Sequence, residues 1–126
     1  MADRIEPFQV SIPAGTLQAA PQVTTCAFDD GIVDKLVITV PPGPSGLVGF
    51  QIWHKGSQII PYTGNTFFVA DGRVIEWDLS GFPPASGWQF VAYNIDQFIH
   101  TIYLEFLITE LPLPQPSLVP LLPIGQ

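Results

Sequence analysis

The sequence predicts an all-β domain, an antiparallel β-sandwich or jelly roll of seven to eight short strands with extended N- and C-terminal arms. Three observations carry this. Eleven Gly and 14 Pro stand among 126 residues, about a fifth of the chain and above the usual share. Between the Gly/Pro clusters, β-branched and aromatic residues recur with a period of two, the spacing of one strand face. Only 12% of residues are charged while 47% are hydrophobic, which leaves too few Lys, Glu and Arg to solvate helix faces. The length suits one domain that closes its core without disulfides or metals.

Residues 1–30 read as an N-terminal arm with a leading strand. Phe8, Val10 and Ile12 alternate with Gln9 and Ser11 until Pro13 and Gly15 stop the run. The stretch from Ile12 to Phe28 has no charged residue and two prolines, so it can lie extended over its own domain or over a neighbour.

The sandwich domain is read over residues 31–110. From Ile32 to Val40, Leu36, Ile38 and Val40 share one face and Lys35 and Thr39 the other. PPGPSG, Pro41 to Gly46, is a stiff connection in which Pro sets φ and Gly supplies turn geometry. Alternation resumes with Val48, Phe50 and Ile52 opposite Gln51, Trp53 and Lys55. Glycines at 43, 46 and 49 last only three repeats and do not make collagen.

Lys55-Gly56-Ser57-Gln58 reads as a hairpin turn, and Pro61 as an edge or a strand end. Asp71-Gly72 is a hairpin signal between Phe67/Val69 and RVIEWDL. There Ile75, Trp77 and Leu79 are expected to face the core, Arg73 the rim, and Glu76 and Asp78 water. After the loop SGFPPASG come WQFVAYNI and HTIYLEFLITE, the second with Ile102, Leu104, Phe106 and Ile108 on one face and Tyr103 and Glu105 on the other. Trp88, Val91, Ile95, Ile99, Ile102 and Phe106 also fit a helical spacing, but the β-forming composition and the Asn94-Ile95-Asp96 turn favour two strands.

Residues 111–126, LPLPQPSLVPLLPIGQ, hold five prolines and no charge. They are expected to form an extended, polyproline-like C-terminal arm. Its large aliphatics are costly to leave in water, so Leu111, Leu113, Leu118, Val119, Leu121, Leu122 and Ile124 are candidate assembly contacts, together with Trp53 and Trp88.

The net charge is −7, and the four basic residues, Arg4, Lys35, Lys55 and Arg73, form no cluster. Direct binding of nucleic acid or of an anionic membrane is therefore not expected. The prolines and glycines between Leu36 and Trp53 exclude a membrane helix there. A single cysteine, Cys26, permits no intrachain disulfide and fits synthesis in a reducing cytoplasm. The start MADRIEPFQV lacks the pattern of a secretory signal.

No arrangement of residues points to catalysis, a cofactor or a metal. HxH, HExxH, CxxC, GxSxG and the glycine-rich phosphate loops are absent, and Asp29-Asp30 with Asp34 lacks the calcium-loop pattern. Cys26 with His54 or His100 lacks a visible orienting group. Glu76 and Asp78 read as a solvated face. The aromatics, Trp53 and Trp88 above all, leave room for sugar stacking or subunit contact.

The runs PPGPSGLVGFQIWHKGSQIIPY, VIEWDLSGFPP, WQFVAYNID and HTIYLEFLI resemble small virion structural proteins of tailed bacteriophages over about residues 32–109. The resemblance is most like the capsid decoration, or cement, proteins. It implies a non-enzymatic β-rich subunit made in the host cytoplasm and carried in the virion, with arms that reach over neighbours. It further implies a homo-oligomer such as a trimer, with the major capsid protein or other virion proteins as partners. Two alternatives stand beside it: a phage tail or baseplate component, and a receptor- or carbohydrate-binding β-sandwich module.

Overall fold

The structure, a computed structural model, describes residues 4–28, 31–62, 64–82 and 87–110. Among them there is no helix, and nine strands form two antiparallel sheets. The strands pair as nested hairpins. β4 (Val48–His54) turns at Lys55-Gly56 into β5 (Ser57–Ile60), and β6 (Phe68–Val69) continues the same edge beside β4. Outside that pair, β3 (Ile32–Val40) meets β7 (Arg73–Phe82), β2 (Gln22–Cys26) meets β8 (Trp88–Asn94), and β1 (Arg4–Ile12) meets β9 (His100–Thr109). The chain is thus one long hairpin rolled into two layers, β1-β9-β3-β7 against β2-β8-β4-β5/β6. This is the eight-stranded jelly-roll wiring, with its fifth strand broken into β5 and β6.

The central turn follows from its residues. Lys55 and Gly56 have φ of 51° and 84°, the double positive φ of a two-residue hairpin loop whose twist matches its strands. Pro61 ends β5 as expected, since it has no N–H to continue the ladder. The core is the facing apolar sets. Leu36, Ile38, Ile102, Leu104, Phe106 and Ile108 from one sheet meet Phe50, Ile52, Trp88 and Phe90 from the other, all buried. Full burial of each such side chain contributes about 1.5–3 kcal/mol. A bulge at Val33/Lys35 interrupts the register of β3 with both its neighbours. It lets Val33 and Leu36, three residues apart, both point inward.

Three expectations are corrected. The described part of the N-terminal arm is integral to the sandwich, whose described strands begin at Arg4 rather than at residue 31: β1 pairs with β9 along all nine residues and β2 lies in the other sheet. Phe8 and Phe28 close on Phe106 at 5.7 and 5.0 Å, so this segment covers core that its own domain exposes. The strand number is nine among the described residues, because the edge beside β4 is broken and β2 is added. Asp71-Gly72 is not a hairpin, since β6 and β7 belong to different sheets. The turn instead crosses the end of the sandwich and locks onto the Pro41–Gly43 connection, with the Gly72 N–H donating to the Pro41 carbonyl at 3.4 Å and the Gly43 N–H to Asp71 Oδ1 at 2.9 Å.

Candidate functional site

The break between β5 and β6 builds the first candidate site. Pro61, Tyr62 and residues 64–67 leave the edge and fold over the outer face of the five-stranded sheet, held by amide side chains. Gln58 Nε2 donates to the carbonyls of Pro61 at 2.8 Å and Thr66 at 3.0 Å, and its Oε1 accepts the Asn65 N–H at 3.0 Å. Gln51, from the centre of β4, donates Nε2 to the Thr66 carbonyl at 2.9 Å and accepts the Trp53 indole N–H on Oε1 at 2.8 Å. Phe67 stands edge-on to Tyr93, with ring centroids 5.0 Å apart. Between this strap and the turn after β1 lies an open cavity of about 500 Å³ lined by Gln18, Ala19, Gln51, Asn65 and Phe67. Among the described residues its lining is neutral, three carboxamides and one aromatic ring beside a small alanine.

The second candidate site is one end of the sandwich, where four connections meet. Asn94 organises it. Fully buried, it donates Nδ2 to the carbonyls of Ile12 at 2.9 Å and Phe98 at 2.8 Å, and its Oδ1 accepts the Asp96 N–H at 3.0 Å. The main-chain N–H groups of Asn94 and Ile95 donate to Thr16 and Leu47 at 2.8 and 2.9 Å. Asp96 also bonds His100 at 2.8 Å. That bond first, then the Gln97 N–H, holds the Asp96 carboxyl below its ordinary pKa. On this framework Leu17, Ile95, Phe98 and Ile99 are each more than half exposed.

The aromatic candidates separate. Trp88 is fully buried, 4.4 Å from the His54 ring and 5.6 Å from Phe106, so it is a core residue and not a surface contact. Its parity with Phe90 and Ala92, both buried on the inner face, was the signal. Trp53 is half-buried on the outer face, two residues along β4 from the cavity-lining Gln51. Leu111, Leu113, Leu118, Val119, Leu121, Leu122 and Ile124 lie outside the described residues.

Burial pushes the Cys26 thiol up to about 12, so at neutral pH it is protonated and a poor nucleophile. Glu76 and Asp78 are exposed, and Glu76 meets Lys35 at 3.4 Å across the strands. No three His, Cys, Asp or Glu among the described residues converge as a metal site. Gln18, Gln51 and Asn65 stand in no recognisable binding motif of the sequence. Gln51 carried a faint signal, as the one amide inside the otherwise apolar and aromatic run VGFQIWH.

No family model matches the chain, and no curated protein matches it. Among solved structures, one described as the crystal structure of FLHE is similar, with a TM-score of 0.47 and 10% sequence identity over 82% of this chain and 96% of that one.

Proposed function

We propose that the chain is a non-enzymatic structural subunit of a tailed-phage virion, decorating or bracing the capsid through lateral contacts. Jelly rolls serve as both capsid and lectin domains, so the fold alone does not choose between these roles. The observation that carries the reading is the apolar end of the sandwich: Leu17, Ile95, Phe98 and Ile99 are exposed on loops hydrogen-bonded to the buried Asn94. Exposed apolar side chains on a preorganised surface favour protein contact, because little conformational entropy is lost when they dock. The chargeless C-terminal segment offers a second set of aliphatics, and many identical contacts around a symmetric shell add by multivalency. The phage-like runs quoted above support the same reading.

The test is binding of the purified chain to empty capsids by co-sedimentation, beside its mass in solution. Phe98→Asp with Ile99→Asp, and separately removal of residues 111–126, are expected to lower capsid occupancy while the β-sheet circular dichroism stays unchanged. Undiminished occupancy in both variants would overturn the reading.

A further inference from the structure

The cavity over the five-stranded sheet is a binding site in its own right, and we infer that it takes a neutral saccharide. The inference goes beyond the assembly reading and does not rest on it. The lining groups select the ligand class by elimination. Among the described residues no Lys or Arg lines the cavity, and in a chain of net charge −7 an anion gains nothing there. No carboxylate among the described residues lines it either, which disfavours a cation. An apolar ligand would strip water from the carboxamides of Gln18, Gln51 and Asn65 without replacing their hydrogen bonds, an unfavourable exchange.

Sugar hydroxyls suit these groups, since each hydroxyl donates and accepts, and each carboxamide offers a carbonyl oxygen and two N–H donors. The face of a pyranose is apolar and packs on an aromatic ring, for which Phe67 stands at the cavity wall, braced by Tyr93. The site is also preorganised. Gln51 is 4% exposed, and its bonds to Trp53 and Thr66 fix the amide's orientation, leaving one N–H and a lone pair uncommitted to them. A volume of about 500 Å³ lies within the range of small-molecule sites, roughly 300–1,000 Å³.

A peptide is the less favoured occupant. Peptides that extend a sheet need an unpaired edge, whereas β4, which carries Gln51, is paired on both sides, with β8 and with β5 and β6.

The experiment is a titration of the full chain, followed by the side-chain amide signals of Gln and Asn in ¹H–¹⁵N spectra. The probes are maltohexaose, cellohexaose, laminarihexaose and chitohexaose at millimolar concentrations, then a glycan array. At least one neutral saccharide is expected to shift the Gln18, Gln51 and Asn65 signals. Ala19→Trp, which fills the cavity from a surface turn, and Gln18→Ala should abolish or weaken those shifts while the remaining spectrum stays native. The inference is overturned if no neutral saccharide of the panel or array moves these signals, or if Ala19→Trp binds as tightly as the parent. Shifts produced by extended peptides and by no sugar would also overturn it. Capsid binding is scored separately, so the two readings fail independently.

Discussion

The indole N–H of Trp53 donates to the side-chain oxygen of Gln51, two residues back on the same face of β4, at 2.8 Å. This bond orients an amide that also holds the strap at Thr66. Gln51→Ala removes both bonds. The Thr66 carbonyl keeps Gln58 as a donor, so the cost falls mainly on Trp53 and on the space left behind. Urea denaturation is expected to show a loss of about 1–2 kcal/mol. A loss below a few tenths would mean that the amide is not part of the strap's support.

Trp88 and Trp53 differ in kind, although the sequence offers both as surface aromatics. Trp88→Ala opens a cavity among His54, Phe106 and the surrounding core, and a cost of about 3–5 kcal/mol is expected. Trp53→Ala, on a half-buried outer position, should cost clearly less. Parallel denaturant melts of the two variants check the order, and equal costs would contradict the burial of Trp88.

Asn94→Ala leaves the Ile12 and Phe98 carbonyls without this donor and the Asp96 N–H without its acceptor. A destabilisation of about 2–3 kcal/mol or more is expected. Amide exchange should quicken first at residues 95–99, because their connection depends on this side chain. Exchange that rises uniformly instead would mean that Asn94 does not organise the loop.

The Asp96–His100 pair makes the same loop sensitive to acid. The folded-state pKa of Asp96 lies below its ordinary 3.8, so its contribution to stability is present above that value. It is lost as pH falls through the lowered one. Asp96→Asn should therefore be less stable than the parent at about pH 6, with the gap closing toward pH 2 as the parent's carboxylate takes up its proton. Thermal melts across that window give the comparison, and a gap independent of pH would exclude the ionised carboxylate as its source.

Much of the fold was legible in the chain because period-two patterning reports directly which residues face an apolar layer. Leu36, Ile38 and Val40, and Ile102, Leu104, Phe106 and Ile108, are buried where the alternation put them. The first half of β1 was not legible. Arg4 and Glu6 share the inward parity with Phe8 and Val10, and they are tolerated there because Arg4 bonds Glu6 at 3.0 Å and Glu110 at 3.2 Å. β2 was hidden by the polar run QVTTC, whose strand state depends on pairing with β8. Asp71-Gly72 carried a true turn signal with a false partner, since local turn chemistry does not say whether the next strand joins the same sheet.

The candidate site was still less legible. Gln18, Gln51 and Asn65 come from three separate stretches, and nothing local in their neighbourhoods brings them together. The sequence by itself determined an all-β chain, its turns and most of its inward faces, since these depend on residues within a few positions of one another. Only the tertiary structure decided the nested wiring, the burial of Trp88 and the placing of three amides around one cavity. Those depend on which strands lie side by side, and a repeat of two gives every strand the same signature regardless of its neighbour.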